Sequence, residues 1–282
     1  MKEHNFCIVG LGLLGGSYAM GLTQAGYRVT AIDIRSEALT FALQKGIIAQ
    51  RTTCDFDALL AEADAVILAL YPQALIDFVA LHQNAFRKGC FITDVCGVKS
   101  GIVDKIQGFL RDDVEFIASH PMAGKEVSGV EYANCAMFQP ANFIITPTEK
   151  NTKEGIAFAK SLANTLQFSH ISVLSCEEHD KMIGYVSQLT HAIAVSLMNA
   201  NDNTHLAEYT GDSFRDLTRI ARINETLWSE LFLLNQDVLT QEIDAFIASL
   251  TDLRDKLKAH DTEGLQALFK QSTQRRARFD VK

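Results

Sequence analysis

One histidine stands in a setting that suits proton transfer. His120 follows the apolar segment at residues 114–118 and lies within a Ser-His-Pro-Met-Ala-Gly-Lys-Glu run at residues 119–126. A histidine side chain changes charge near neutral pH, so it can accept or release a proton there. We expect His120 at the carboxyl end of a parallel strand, where such sheets bind ligands. We interpret it as the catalytic acid and base, the alternative being a histidine that hydrogen-bonds a turn.

A glycine-rich turn near the start of the chain has the pattern of a dinucleotide-binding loop. Gly10, Gly12 and Gly15 form G-x-G-x-x-G between an apolar strand candidate and a helix candidate, and Leu13 and Leu14 are the intervening residues. Such glycines permit a tight turn, close approach of backbone to a pyrophosphate, and close contact between helix and strand. The free N–H groups of the helix start would face the phosphates. The alternative is a turn used only for packing.

The end of the second strand candidate carries an acidic residue that bears on the choice of cofactor. Asp33 stands where an acid binds the adenosine ribose hydroxyls in dinucleotide-binding domains. Its charge would repel the 2′-phosphate of NADP, although Arg35 lies two residues further on and could accommodate that phosphate. We predict NAD as the cofactor, with both residues in its site, and keep NADP as the alternative.

Polar residues recur along a helix predicted at residues 177–199. His179, Ser187 and His191 are spaced by eight and four residues, which places them roughly on one helix face. Ser187 and His191 together predict a polar patch that is aimed at a ligand. His179 with Asp180 could merely cap the start of the helix.

Charged residues in two segments are candidates for binding an acidic substrate. Arg219 ends a Gly-Asp-Ser-Phe-Arg-Asp-Leu-Thr-Arg run, and its planar guanidinium suits a carboxylate. Asp216 lies one helical turn earlier, so it could pair with Arg219 or line the substrate site beside it. Either Arg215 or Arg219 is expected to face solvent. Glu126, six residues after His120, could be a surface charge, an acid at a helix start, or a residue over the site.

The order of apolar segments predicts an α/β fold with a Rossmann-type, doubly wound parallel sheet and an all-helical C-terminal part. From about residue 176 onward apolar residues recur at three- and four-residue spacing, and no proline follows Pro147. We therefore predict a dinucleotide-binding domain at 1–174 and a helical substrate and dimerisation domain at 175–282. The strand candidates are 6–9, 28–32, 65–68, 90–94, 114–118, 142–146 and 170–174.

Composition excludes several classes of partner. The net charge of −8 removes general electrostatic attraction to nucleic acid or anionic lipid. The 6 cysteines stand singly, with no C-x-x-C pair to suggest a metal site, and are typical of reduced thiols in the cytoplasm. No segment approaches the roughly 18 apolar residues of a membrane helix. We expect a cytoplasmic protein without metal, nucleic acid or membrane partners.

Taken together, these motifs resemble those of the prephenate dehydrogenase family, which also includes arogenate dehydrogenases. The resemblance spans nearly the whole chain, and its most specific parts are the Ser-His-Pro-Met-Ala-Gly run and the later Phe-Arg-Asp-x-Thr-Arg run. The matching segments are 10–15, Thr93 with Asp94, Val98 with Lys99, 119–126 with Gly129, His179 with Asp180, Ser187 with His191, and 214–219 with Asn235.

This resemblance implies a reaction and a role for each matching residue. The reaction is oxidative decarboxylation of prephenate to 4-hydroxyphenylpyruvate, with hydride transfer to NAD, in tyrosine biosynthesis. His120 would hydrogen-bond the ring hydroxyl, and Arg219 would bind a substrate carboxylate. Ser187 and His191 would line the pocket from the helical domain. Glu126 would help to control access.

One position departs from the family pattern. Many members have a serine just before Val-Lys in the loop after the fourth predicted strand, where it supports the histidine and the nicotinamide. This chain has Gly97 there. A hydroxyl from elsewhere, or water, would have to replace that serine.

Other functions share much of this pattern. They are an arogenate dehydrogenase, a β-hydroxyacid dehydrogenase or imine reductase of similar architecture, and a non-catalytic redox sensor that binds NAD. The helical part has more apolar faces than a small domain can bury alone, so we expect a homodimer formed through residues of about 176–282. We expect no fused regulatory domain, and we expect any tyrosine feedback to act at the active site.

Overall fold

A computed structural model describes residues 4–279 of the chain. Within that range the chain forms nine strands. They are β1 (Asn5–Val9), β2 (Arg28–Ile32), β3 (Gln50–Thr52), β4 (Ala65–Leu68), β5 (Phe91–Asp94), β6 (Glu115–Phe116), β7 (Ala118–Pro121), β8 (Asn142–Thr146) and β9 (His170–Val173).

The helices of the same range follow the strands and then dominate the second half. They are α1 (Leu13–Gln24), α2 (Ser36–Gln44), α3 (Phe56–Glu62), α4 (Pro72–His82), α5 (Val103–Phe109), α6 (Lys153–Thr165), α7 (Cys176–Ile183), α8 (Thr190–Asn199), α9 (Leu206–Tyr209), α10 (Asp212–Thr218), α11 (Glu225–Leu234), α12 (Gln236–Lys258) and α13 (Thr262–Arg276).

The first six strands form one parallel sheet in the order β3-β2-β1-β4-β5-β6. The strand order reverses between β1 and β4, so the carboxyl ends of these two strands open a crevice that binds ligands in sheets of this type. This arrangement confirms the predicted Rossmann-type fold. We did not predict β3, because Gln50–Thr52 is a three-residue edge strand of polar residues.

Successive side chains of β1 point to opposite faces of this sheet, and both faces are buried. Phe6 and Ile8 lie in one apolar cluster, together with residues of α1 and α6. Cys7 and Val9 lie in a second cluster, with residues of α3, α4 and α5. A strand covered on both faces has apolar residues in sequence rather than alternation, which is why its position was predictable.

The predicted strand at 114–118 is corrected by the structure, because it is divided between two sheets. β6 ends the parallel sheet at Phe116, and β7 starts a second sheet in the order β7-β8-β9. β7 runs antiparallel to β8, whereas β8 and β9 are parallel. An antiparallel pair needs only a return loop, and residues 122–141 supply one without a crossover α-helix.

The predicted helix at 177–199 contains a wider turn in its middle. Residues Gly184–Leu189 form a π-helix between α7 and α8. Each π-type bond spans five residues, so this segment changes which faces the flanking α-helices share. Such segments are frequent at functional sites.

Two compact units make up the described chain, residues 4–235 and residues 236–279. The second unit consists of α12, α13 and a final 3₁₀ turn at Ala277–Phe279. The predicted boundary at 174/175 falls within the first unit and remains a proposal about domain organisation. Among residues 4–279, no helix is long and apolar enough to cross a membrane.

Candidate active site

The glycine-rich turn connects β1 to α1 at the crevice of the parallel sheet. Gly10 has φ +91°, and a Cβ there would lie 2.5 Å from the carbonyl oxygen of Ala69. A Cβ at Gly15 would overlap the carbonyl oxygen of Gly10. Both positions therefore require glycine for the fold itself, because the turn, β4 and α1 come so close together.

Gly12 differs from its neighbours because space is open around it. A Cβ built on Gly12 meets no heavy atom within 4 Å. Gly12 caps α1, the helix start has no side-chain cap, and the first-turn N–H groups of Leu13, Leu14 and Gly15 are available. An open surface lined by free N–H groups at a helix start fits a pyrophosphate. Unlike Gly10 and Gly15, Gly12 is not required by the packing of the fold, and it stays a candidate contact for a bound pyrophosphate.

We expect Gly12→Ala to weaken NAD binding without unfolding the protein. Gly12 has φ −84° and ψ −161°, a conformation open to alanine, so the thermal midpoint should hardly change. The new methyl would occupy the space beside the pyrophosphate, and the Kd for NAD should rise at least about tenfold, or 1.4 kcal/mol. Fluorescence titration with NADH and thermal unfolding measure the two quantities. Gly108→Ala, also in open space, is the control with unchanged Kd. A Gly12→Ala variant that binds normally would contradict the assignment.

Asp33 lies at the end of β2 and is bonded to the glycine-rich turn. Its carboxylate accepts the N–H of Leu11 at 2.6 Å and the N–H of Arg35 at 2.8 Å. The guanidinium of Arg35 donates to the carbonyl oxygen of Leu11 at 3.0 Å. The two predicted cofactor residues therefore contact each other beside the turn. Ile34 between them is 86% exposed, an apolar side chain that we did not predict as part of this surface.

His120 lies on β7, opposite Ile144 of β8, and not at the carboxyl end of a strand of the parallel sheet. This corrects our expectation of its strand. It still lies near that edge, because Ser119 donates its N–H to the Asp94 carboxylate at 3.0 Å. Asp94 is the last residue of β5. The side chain of Ser119 also bonds Thr93 at 2.8 Å, so β7 is held against the end of β5.

A buried ion pair lies beneath this junction. Lys99 is fully buried, and its Nζ donates to the Asp94 carboxylate and to the carbonyl oxygen of Ser119, each at 2.6 Å. Asp94 also accepts the N–H of Cys96 at 3.0 Å. The loop after β5 and strand β7 are thus bonded to the same two charged groups. His120, the next residue after Ser119, is positioned by this network.

The imidazole of His120 is neutral at physiological pH. Burial, reinforced by the nearby His179 and by the positive charge of Lys99, holds the pKa of His120 well below its ordinary value. Burial also lowers the pKa of His179, although the hydrogen bond to Asp180 acts in the opposite direction. His120 Nδ1 and His179 Nε2 are 2.9 Å apart. A neutral imidazole retains a lone pair and can accept a proton.

Ser187 and His191 lie on the helical wall of the site, in and just after the π-helix. His191 Nδ1 is 2.8 Å from the carbonyl oxygen of Ser187. The imidazole of His191 stacks on Trp228 of α11, with ring centroids 3.7 Å apart. Burial lowers the pKa of His191. Trp228 was not predicted as a site residue, and the only signal available was that it is the single tryptophan of the chain.

Arg219 follows α10 in a 3₁₀ turn that contacts α8. Its guanidinium forms an ion pair with the carboxylate of Glu126. The charge of Glu126 raises the pKa of His191, and the charge of Arg219 lowers it. The structure therefore brings Glu126, Arg219 and His191 together from three separate segments.

The remaining charged residues of this segment lie on the surface. Asp216 is exposed. Among residues 4–279, Arg219 pairs with Glu126 and not with Asp216, the pairing that we considered from the sequence. Arg215 Nη1 is 3.9 Å from Asp212 Oδ1. The side chain of Arg215 is 65% exposed and that of Arg219 is 62% exposed. Our expectation that only one of the two arginines faces solvent is wrong for the single chain.

Packed side chains connect His120 to the Glu126 group. Gly97 separates His120 from α11, since a Cβ built on Gly97 would be 3.8 Å from His120 Cε1 and 3.6 Å from Leu231. Leu231 lies one turn after Trp228 on α11, and Trp228 stacks on His191. A dinucleotide cradle, a neutral imidazole and a guanidinium within one compact unit define a nicotinamide-dependent dehydrogenase for an acidic substrate.

Two family models cover both halves of the chain. The nucleotide-binding domain of prephenate dehydrogenase matches residues 19–170, and the dimerization domain of prephenate dehydrogenase matches residues 175–271. The chain belongs to the prephenate dehydrogenase family, and it is an oxidoreductase with an NAD-binding Rossmann domain.

Individual relatives agree with this membership. A prephenate dehydrogenase of Bacillus subtilis is 30% identical over 96% of this chain and 74% of its own length. A cyclohexadienyl dehydrogenase of Zymomonas mobilis is 29% identical over 96% of this chain and 94% of its own. The crystal structure of prephenate dehydrogenase from Aquifex aeolicus, in complex with hydroxyphenyl propionate and NAD+, has a TM-score of 0.90 at 28% identity and covers 99% of both chains.

Proposed function

We propose that this chain catalyses the NAD-dependent oxidative decarboxylation of prephenate to 4-hydroxyphenylpyruvate, a step of tyrosine biosynthesis. The observation that carries the proposal is the neutral imidazole of His120, which packing through Leu231 and Trp228 connects to His191 beside the Glu126–Arg219 pair. The Aquifex aeolicus relative supports the substrate class, since it binds hydroxyphenyl propionate, a phenol with a three-carbon acid.

His120 has the role of general base in this proposal. Prephenate carries a ring hydroxyl on the carbon that loses hydride, and bound NAD supplies the hydride acceptor. His120 accepts the hydroxyl proton as the carbon–oxygen bond gains ketone character. Carbon dioxide leaves from the opposite ring carbon, and the ring becomes aromatic. The chain needs only to hold the substrate in line and to take one proton.

A depressed pKa of His120 predicts where activity is lost in acid. Only the neutral imidazole accepts the proton, and burial, His179 and Lys99 keep it neutral to lower pH than usual. The acid limb of kcat/KM should therefore lie below pH 6.5, the ordinary pKa of histidine. A pH series with saturating NAD measures it. A limb at or above pH 6.5 would contradict a base that stays neutral in the free enzyme.

Arg219 binds a carboxylate of the substrate, and Glu126 controls access to it. In the structure the guanidinium is bonded to Glu126, so a substrate carboxylate must displace that side chain. This exchange replaces one anionic partner of Arg219 with another. The arginine is assigned to the side-chain carboxylate, because a strong cationic contact on the ring carboxylate would oppose loss of carbon dioxide.

We expect Arg219→Ala to raise KM more than it lowers kcat. The carboxylate persists through the reaction, so its contact with Arg219 stabilises ground state and transition state alike. KM for prephenate should rise about tenfold to a hundredfold, as expected for about 1.5–3 kcal/mol from a hydrogen bond to a charged group. Steady-state kinetics measure both constants. Arg28→Ala, an exposed arginine at the start of β2, should change neither. A large fall in kcat at unchanged KM would show that this role is wrong.

Arogenate is the second candidate substrate, since the Zymomonas mobilis relative is a cyclohexadienyl dehydrogenase. Family membership favours either substrate over a β-hydroxyacid dehydrogenase, an imine reductase or a non-catalytic sensor. Asp33 favours NAD over NADP, and Arg35 is already bonded to Leu11 and Asp33. Formation of reduced cofactor with each substrate and each cofactor, four assays in all, tests these choices. Reduction with neither substrate would overturn the proposed function.

Assembly, regulation and location complete the proposal. The chain forms a homodimer through its helical part, in keeping with its match to a dimerization domain. Large apolar side chains exposed on the single chain support this: Met182, Tyr185, Val186, Tyr209, Leu217 and Leu233. Any tyrosine feedback acts at the active site. A cytoplasmic location agrees with six cysteines that are all free thiols.

A further inference from the structure

The position where many family members have a serine holds no side chain in this protein. A Cβ at Gly97 would make only ordinary contacts, 3.6 Å from Leu231 and 3.8 Å from His120 Cε1. A larger residue would therefore fit at this position. Gly97 has no hydroxyl that could hydrogen-bond the imidazole of His120. Another group must determine which nitrogen of His120 carries the proton.

That group is supplied by α7 through two consecutive hydrogen bonds. His120 Nδ1 is 2.9 Å from His179 Nε2, and His179 Nδ1 is 2.7 Å from the Asp180 carboxylate. Asp180 also accepts the N–H of Lys99 at 2.9 Å and the N–H of Ser100 at 2.6 Å. His179 is 0% exposed and Asp180 is 2% exposed, so water does not compete for these bonds.

The helix start does not need His179 or Asp180 as a cap. Ser175 caps α7 and forms a reciprocal pair of bonds with Glu178. The alternative that we considered for His179 is therefore wrong. Its buried imidazole is instead within hydrogen-bond distance of His120 on β7.

The proton positions follow from the end of this chain of bonds. Burial alone would raise the pKa of Asp180, but hydrogen bonds from His179, Ser100 and Lys99 outweigh it and hold that pKa below its usual value. An ionised carboxylate only accepts, so His179 carries its proton on Nδ1. Neutral His179 then offers a lone pair at Nε2. His120 must donate from Nδ1, and its own lone pair is left on Nε2.

We propose that His179 and Asp180 are positioning residues that set the tautomer of His120, a role that no hydroxyl at Gly97 shares in this protein. The inference rests on the proposed role of His120 as the base. The substrate hydroxyl gives its proton to Nε2 of His120, and the imidazolium so formed keeps its Nδ1–H on His179. The negative charge of Asp180, one imidazole further on, stabilises this cation until Nε2 releases the proton to solvent.

The proton positions can be read without any turnover. In protein labelled with ¹⁵N-histidine, long-range proton–nitrogen spectra distinguish a protonated ring nitrogen from one with a lone pair. Single substitutions assign the signals among the 8 histidines. We expect Nδ1 protonated and Nε2 unprotonated in both His120 and His179. A proton on Nε2 of His120 in the wild-type protein would overturn the proposal.

A matched pair of variants tests the effect on turnover. His179→Phe keeps a ring but removes the acceptor, and His120 should then carry its proton on Nε2 while kcat falls about 10²- to 10⁴-fold. His179→Gln places an amide oxygen near the position of Nε2 and should retain most of kcat. NAD affinity should be unchanged in both, and the exposed His170→Phe is the control. Wild-type kcat in His179→Phe would overturn the inference. Wild-type kcat in His120→Asn would instead refute the proposed base.

Discussion

Replacing His120 by asparagine lowers kcat by about 10²- to 10⁴-fold, the usual contribution of a positioned general base. Asparagine fills a similar space and can hydrogen-bond the substrate hydroxyl, but its amide does not accept a proton at neutral pH. Binding of NAD should be unaffected, because the cofactor cradle is formed by the glycine-rich turn and Asp33. Stopped-flow measurement of a single turnover and NADH titration separate the two effects.

The control for this variant is a histidine outside the site. His82 on α4 bonds Asp57 near the surface, and His82→Asn should turn over at the wild-type rate. If His120→Asn were as active as His82→Asn, another residue would have to be the base. A fall in NAD affinity alone, with kcat preserved, would likewise contradict the assignment.

Replacing Asp94 by alanine has the largest expected effect on stability. Lys99 and Asp94 are both buried, and removal of the carboxylate leaves the ammonium without its counter-charge. The N–H groups of Cys96 and Ser119 lose the same acceptor. Breaking one side of a buried ion pair costs about 3–5 kcal/mol. We expect the free energy of unfolding, measured by urea denaturation, to fall by that amount.

An exposed acid gives the matched control for this change. Asp112→Ala, in the turn before β6, should leave the free energy of unfolding unaltered. A loss below about 1 kcal/mol in Asp94→Ala would show that water or a rearranged side chain replaces the carboxylate. The fold would then not depend on this pair.

The strands of the parallel sheet were predictable because each is an apolar segment, whereas the assignment of strands to sheets was not. Pairing of Ala118–Pro121 with Asn142–Thr146 is a contact between distant segments, and neither segment differs in composition from a parallel strand. Local patterns therefore located the strands but did not reveal the second sheet. The expected place of His120 was wrong by one strand for this reason.

The site was predictable where one short motif contains the chemistry. Gly12 and His120 are of this kind, because each stands in a short run of residues whose types suggest the chemistry. Stacking of His191 on Trp228, and the bond from His120 to His179, join residues that are far apart in sequence. The π-helix is also a property of hydrogen bonding rather than of composition, so a regular helix was predicted in its place.

Because β7 joins the two sheets, the position of His120 does not depend on the loop that follows β7. His120 is anchored through Ser119, Asp94 and β8, while Glu126 stands further along, before Val130 contacts α1 beside Gly16. We therefore expect residues 124–128 to tolerate exchange between homologues or randomisation in a library. Substrate preference could be re-engineered there with the proton-transfer apparatus left in place.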